Sequence, residues 1–115
     1  MALLTTGLID NTAVSGVRPS STLTVLVSND DSANETVLIE GFYQSGTTKI
    51  MYVQELFNLA PGEVAQRNYY AEFDAFEFQF TVSSQFVVIS AWGKDAAGNL
   101  TTAHRIVAEE VDLVQ

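Results

Sequence analysis

The sequence contains no cysteine and a single histidine. Without thiols the chain has no disulfide, no thiolate nucleophile and no zinc site built on cysteine, and one imidazole excludes zinc sites that need several. Basic residues are also scarce, since five Lys and Arg stand against fourteen Asp and Glu and leave a net charge of −9. This balance argues against nucleic acid and anionic membrane surfaces as partners, because both are bound through clustered cations.

Long apolar runs are missing as well. No stretch approaches the roughly 18 apolar residues of a membrane-spanning helix, so we expect no membrane insertion. The first residues, MALLTTGLIDNTAV, have neither the basic region nor the long apolar region of a secretory leader, so we expect no classical signal peptide. At 115 residues the chain has the size of one domain with one core.

Catalytic motifs are equally absent. The sequence has no Gly-x-Ser-x-Gly elbow, no phosphate loop and no dinucleotide fingerprint. A histidine that stands alone in a strand, as His104 does, is usually a packed or surface residue. We therefore expect no enzymatic activity, no bound metal and no cofactor.

Two groups of oxygen-bearing side chains have a structural and a chemical interpretation. Glu72, Asp74 and Glu77 lie near aromatic residues and could act as paired carboxylates on a glycoside, but a solvated sheet face explains them as well. The segment 29–35 carries Asn, Asp and Glu side chains that could bind calcium, yet it lacks the spacing of a calcium loop. We interpret it as a polar turn.

The residues that are present show β-strand patterning, most clearly at 76–82. Phenylalanines 76, 78 and 80 and Val82 alternate with polar residues, so one face of this strand is apolar. The run Phe86 to Trp92 is apolar at almost every position, which is typical of a strand covered on both faces. We predict that the two segments form a hairpin around the turn at 83–85 and that this hairpin builds the core.

Further strands are predicted at spacings of about ten residues, with turn residues between them. Ser21–Ser28 is expected to pair with Thr36–Tyr43, in which Gly41 indicates a bulge or a close backbone contact. The remaining predicted strands are 49–57, an edge strand at 64–73, and 100–107. Seven to nine antiparallel strands in all predict a β-sandwich or jelly roll. Residues 108–115 fit a terminal strand or a helix, and the valine-rich ending favours the strand.

The first twenty residues differ from the rest and are treated as a connector, the N-terminal arm (residues 1–20), ahead of a β-sandwich domain at 21–115. Glycine and proline interrupt the arm, and its threonines favour extended structure. Two interpretations remain open: the arm is the first strand of its own domain after a disordered start, or it completes the sheet of a neighbouring copy. In the second case its apolar residues form the subunit interface: Leu3, Leu4, Leu8, Ile9, Val14 and Val17.

Four stretches resemble small spore-surface proteins of spore-forming Firmicutes, namely exosporium proteins and, more loosely, endospore appendage subunits. They are the opening MALLTTG, the segment RPSS at 18–21, the turn LAPG at 59–62, and AWGKDAAGNL at 91–100. The resemblance implies a flexible connector before a jelly-roll domain, fibre growth by β-augmentation, copies of itself and other spore-surface proteins as partners, and a location on the spore surface or in an extracellular appendage. The best-known appendage subunits carry N-terminal cysteines that cross-link the fibre, and this chain has none.

Two functions from different classes follow. The first is a structural subunit that self-assembles through its arm into a fibre or layer, held by burial and strand pairing alone. The alternative is a carbohydrate-binding or surface-binding module of the adhesin type. It rests on aromatic residues that stand beside acidic ones and could stack on sugar rings: Tyr69, Tyr70 and Trp92.

Overall fold

The protein is an antiparallel β-sandwich, and the computed structural model describes residues 2–108 of it. No helix occurs within this range, so the all-β prediction is confirmed. The strands are β1 (Ala2–Thr5), β2 (Ile9–Asp10), β3 (Thr22–Asn29), β4 (Glu35–Ser45), β5 (Thr48–Leu59), β6 (Val64–Tyr70), β7 (Ala75–Val82), β8 (Val87–Lys94), β9 (Leu100–His104) and β10 (Val107–Ala108). The total of ten within residues 2–108 exceeds the predicted seven to nine. The strands β2 and β10 have two residues each, which is too short for an alternating pattern to be recognised in the sequence. The interpretations of residues 109–115 concern a segment outside the described residues.

Two sheets form the layers of the sandwich. The six-stranded sheet has the order β10-β1-β7-β4-β5, and β2 pairs with β7 beside β1. The four-stranded sheet has the order β6-β3-β8-β9. All pairings between these strands are antiparallel.

The core lies between the sheets and is built from the inward faces of β3, β4, β7 and β8. The rings of Phe76, Phe78 and Phe80 are completely buried, as their alternation predicts. Opposite them lie Leu23, Val25 and Val27, which are also completely buried. Period-two patterning therefore identified the inward residues correctly.

The predicted hairpins are wrong in their pairing. Strands β7 and β8 belong to different sheets, so residues 83–86 carry the chain across the core instead of folding it back beside itself. The same holds for β3 and β4. Alternation fixes which side chains face inward, but it carries no information on whether a short connection joins neighbours in one sheet or bridges two sheets. Strand β8 is also not covered on both faces, because Val88 points outward and is 53% exposed.

Several local predictions are confirmed. The register between β4 and β5 shifts at Gly41, which is the predicted bulge. A Cβ atom at this glycine would lie 2.6 Å from Cε2 of Phe78, so the backbone also makes the predicted close contact. Strand β6 pairs with β3 alone and forms the predicted edge of the four-stranded sheet.

Side chains of β5 and β6 tie the two sheets together along one side. Arg67 donates from Nε to Glu55 at 2.6 Å, and the hydroxyl of Tyr69 donates to the same carboxylate at 2.7 Å. Burial works to raise the pKa of Glu55, but these two hydrogen bonds and the charge of Arg67 hold it below its usual value. This side of the sandwich is therefore closed by polar contacts between side chains.

Candidate functional site

The first part of the arm lies in the sheet of its own chain. Residues 2–11, here the docked segment, run antiparallel to β7 through β1 and β2, and β1 also pairs with β10. Between the two strands, the amide of Thr6 donates to the carbonyl of Phe78 at 3.0 Å. The structure thus has the arrangement of the first interpretation, in which the arm begins the domain.

The six predicted interface residues are divided among three environments. Leu4 and Ile9 pack against the core. Leu3 is paired with Thr81 and points to the outer face, where it is half-buried. The side chains of the other three are exposed: Leu8, Val14 and Val17.

A buried carboxylate on β7 holds the docked segment from the outer face. Glu77 is 5% exposed, and its oxygens accept hydrogen bonds from Thr5 Oγ1 and, at 2.6 Å, from Lys49 Nζ. Gln79 Nε2 also donates to it at 3.3 Å. Burial works to raise the pKa of Glu77, but the hydrogen bonds, led by that from Lys49, hold it below its usual value. The charged form of this carboxyl is therefore the one that fits the docked arm.

Stability should consequently fall in acid. A carboxyl whose pKa is depressed in the folded state stabilises the fold above its unfolded pKa, and this contribution disappears as pH falls through the folded pKa. We expect Glu77→Gln to lower the free energy of unfolding at pH 7 by about 1–2 kcal/mol, a discounted value because Lys49 is partly exposed. Between pH 5 and pH 3 the free energy of unfolding should also fall less steeply for the variant than for the unmodified chain. Urea unfolding across that range checks both.

Glu40→Gln serves as the matched control for this pH series. Glu40 lies on the same outer face and accepts only a long hydrogen bond of 3.4 Å from Gln54 among the described contacts. We expect its unfolding profile to follow that of the unmodified chain. If both substitutions reduce the loss of stability between pH 5 and pH 3 equally, the contribution assigned to Glu77 is wrong.

Asn11 anchors the other end of the docked segment. Its side chain is 1% exposed, and Nδ2 donates to the carbonyls of Ser20 and Ala71 at 2.9 and 2.8 Å. In return the amide of Ser20 donates to Asn11 Oδ1 at 2.8 Å. The side chain thus joins the docked segment to the start of β3 and to the end of β6. Sequence reasoning missed Asn11 and the role of Glu77, because their partners lie up to 72 residues away and leave no local pattern.

Residues 12–19, here the hinge loop, connect the docked segment to β3. Val14 and Val17 exchange backbone hydrogen bonds of 2.8 and 3.0 Å around a tight turn. At the tip Ser15 has a φ of 53°, a conformation that non-glycine residues rarely adopt. Arg18 holds the base of the loop through an ion pair with Asp74 at 2.7 Å. The hinge loop is therefore a short exposed loop with a strained backbone conformation at Ser15.

The aromatic residues proposed for sugar binding separate onto two faces. Tyr69 points inward, stacks on Phe78 and donates its hydroxyl to Glu55. Tyr70 and Trp92 lie on the outer face of the four-stranded sheet, where Tyr70 is 59% exposed. Trp92 borders an open groove of about 410 Å³, the aromatic groove, which is lined by Thr24, Leu26, Gln66, Trp92, Lys94, Gly98 and Leu100.

The other chemical candidates are occupied by structural contacts. Asp74 is paired with Arg18, and Glu77 holds Lys49, so these two acids are not a free pair facing a common substrate. Asn29 is buried and donates to the carbonyls of residues 33 and 59. His104 packs edge-on against Phe76, and burial lowers its pKa.

Within residues 2–108 no group of three or more His, Asp or Glu residues is placed to hold a metal ion. The same range has no helix of the length and apolarity that a membrane crossing requires. A second depression, of about 550 Å³, lies beside the docked segment and is lined by Leu8, Asp10, Thr12, Gln44, Gly46, Asp74 and Ala75.

No known protein family, no curated protein and no solved structure matches the chain.

Proposed function

We propose that the protein is a structural subunit that self-assembles by exchanging its docked segment between copies. The observation that carries the proposal is the position of the docked segment. It pairs with β7 as a separate strand and is joined to the rest of the domain only through the exposed hinge loop. In the exchanged form, residues 2–11 of one copy occupy the same place along β7 of the next.

The contacts of the docked segment support this exchange. Leu4 and Ile9 fill the core, and Asn11 meets buried carbonyls, but each of these contacts can be made by any copy with the same sequence. Exchange therefore preserves the contact energy and changes only the hinge loop. Opening the loop relieves the left-handed conformation of Ser15, which costs about 1 kcal/mol or more.

The length of the hinge loop also permits exchange. Its eight residues span at most about 27 Å when extended, at the usual rise per residue. The shortest dimension of the molecule is 20 Å. An arm that leaves its own domain can thus reach a copy packed against it. A contact of this head-to-tail kind produces an open fibre when it does not close on itself.

The proposal includes the setting that the sequence resemblance implies. The subunit would form part of a fibre or layer on a spore surface or an extracellular appendage, with copies of itself and other spore-surface proteins as partners. Because the chain has no cysteine, such an assembly would be held by strand pairing and burial alone. Its net charge of −9 makes copies repel one another, so assembly should be favoured by added salt.

An engineered disulfide tests the exchange. The hydrogen bond from Thr6 to Phe78 sets the ladder so that Leu3 and Thr81 form a non-hydrogen-bonded pair, with Cα atoms typically about 4.5 Å apart. Leu3→Cys combined with Thr81→Cys therefore places one bond across the arm and β7. Oxidation after assembly should give a ladder of covalent oligomers on a non-reducing gel.

Oxidation of the same variant at high dilution should lock each arm to its own domain. We expect these locked monomers to stay particles in negative-stain electron microscopy and to assemble after reduction. The single variants Leu3→Cys and Thr81→Cys control for the substitutions themselves. Assembly that proceeds equally well with locked arms would rule out arm exchange.

A further inference from the structure

The outer face of the four-stranded sheet carries the aromatic groove, on the opposite layer from the docked segment. Strand register places Thr24 opposite Trp92, and the next residues on this face are Leu26 on β3 and Lys94 on β8. Together with Leu100 these side chains give an apolar floor with polar groups around it. A volume of about 410 Å³ lies within the usual range of small-molecule sites.

One cation of the groove, Lys94, has no carboxylate partner among the described residues. Arg18, Lys49 and Arg67 each have a carboxylate partner within 4 Å. Lys94 and Arg105 have none among the described residues, and of these two Lys94 is half-buried at the wall of the groove, whereas Arg105 is exposed. Since the protein has nearly three acids for each base, a cation left without a partner here is suited to an anionic group of a ligand.

Two aromatic rings on this face, Trp92 and Tyr70, can stack on a flat part of a ligand. Trp92 is half-buried, and its indole N–H points to Ser90 Oγ at 3.3 Å, which fixes the ring along β8. Tyr70 lies on the same face on β6, two strand spacings or about 10 Å across the sheet. On the same face of β6 as Tyr70 lie the exposed amides of Asn68 and Gln66. Asn68 Oδ1 accepts from Thr24 at 2.7 Å, whereas Gln66 borders the groove and can donate and accept hydrogen bonds. The surface thus offers rings for stacking, amides for hydroxyl groups, and one ammonium.

We propose that the aromatic groove binds an acidic carbohydrate, a chain of sugar rings that carries carboxylates. A ring stacks on Trp92, a carboxylate accepts from Lys94, and hydroxyl groups bond to the amide of Gln66. A neutral apolar peptide would offer Lys94 no anionic group, and the groove is open to solvent, so a ligand longer than one sugar ring can extend out of it. The site is independent of arm exchange, because the arm lies on the other sheet.

The experiment uses the tryptophan of the groove as its reporter. Trp92 is the sole tryptophan of the chain, so intrinsic fluorescence reports on this site alone. The full-length protein is titrated with trigalacturonate and, separately, with maltotriose, a neutral sugar of similar length. We expect a saturable shift of emission with trigalacturonate and at least tenfold weaker binding of maltotriose. Lys94→Met should weaken trigalacturonate binding at least tenfold and remove its dependence on salt.

Val88→Ala is the matched control, since Val88 lies on the same strand and the same face but does not line the groove. We expect it to bind like the unmodified chain. The proposal is overturned if trigalacturonate gives no saturable signal, if maltotriose binds equally well, or if Lys94→Met binds as before. It is also overturned if the emission of Trp92 shifts with protein concentration and does not respond to added sugar. A second copy of the chain would then cover this face. Failure of arm exchange would leave all of these results unchanged.

Discussion

Removing residues 1–11 should lower the free energy of unfolding by about 3–5 kcal/mol. Burial of Leu4 and Ile9 contributes about 1.5–3 kcal/mol for each side chain when complete, and both are partly buried here. The bonds of Asn11 to buried carbonyls add about 1 kcal/mol or more. Such a loss is a large part of the stability of an ordinary domain. Urea unfolding of the truncated chain measures it.

A peptide of residues 1–11, added to the truncated chain, should restore most of the lost stability. The place beside β7 is a strand-shaped site, and an added strand can satisfy its backbone groups as the native one does. The same peptide with Leu4→Asp and Ile9→Asp is the control and should restore nothing, because its charges would enter the core. A truncated chain as stable as the full one would show that the docked segment is not needed for the fold.

The second large effect is expected at Gly41, where a side chain has no room. An added Cβ would lie 2.6 and 2.7 Å from two ring carbons of Phe78 and 3.0 Å from Cβ of Val53. The ring of Phe78 is completely buried and packs against two tyrosines, so it cannot move aside. We expect Gly41→Ala to lower the free energy of unfolding by about 2–3 kcal/mol, the upper part of the range for overpacked cores.

Thermal or urea unfolding of four variants, the single variants Gly41→Ala, Gly98→Ala and Phe78→Leu and one double variant, separates the steric effect from other effects of replacing glycine. Gly98→Ala is the first control, because Gly98 has a φ of 87° but no atom within 4 Å of the added Cβ. It should cost about 1 kcal/mol, through the backbone alone. The double variant Gly41→Ala with Phe78→Leu should be less destabilised than the sum of its single variants, since the smaller side chain makes room. Strict additivity would contradict the steric explanation.

The candidate sites were predicted from the sequence to different degrees. The apolar pattern of the arm does not distinguish Leu4, which packs against the core, from Leu8, which is exposed. The exposed Tyr70 and the inward Tyr69 are neighbours in the predicted edge strand. Tyr69 shows the limit of this reasoning, because neighbouring residues of a strand face opposite sides and only the register decides which one is inward. Asn11 gave no signal at all, since an asparagine before a turn looks the same whether its amide is buried or exposed.

By itself the sequence determined the class of fold, the positions of most strands and, where the alternation is clear as in β3 and β7, the face that enters the core. These are local properties, because the alternation of apolar and polar residues and the chemistry of the turns are set by neighbours along the chain. Only the tertiary structure decided which strands pair. It placed β7 between β1 and β4 rather than beside β8, and it seated the docked segment in the sheet of its own chain. Pairing depends on backbone groups and buried side chains far apart in sequence, and any apolar strand of suitable length satisfies the same local pattern.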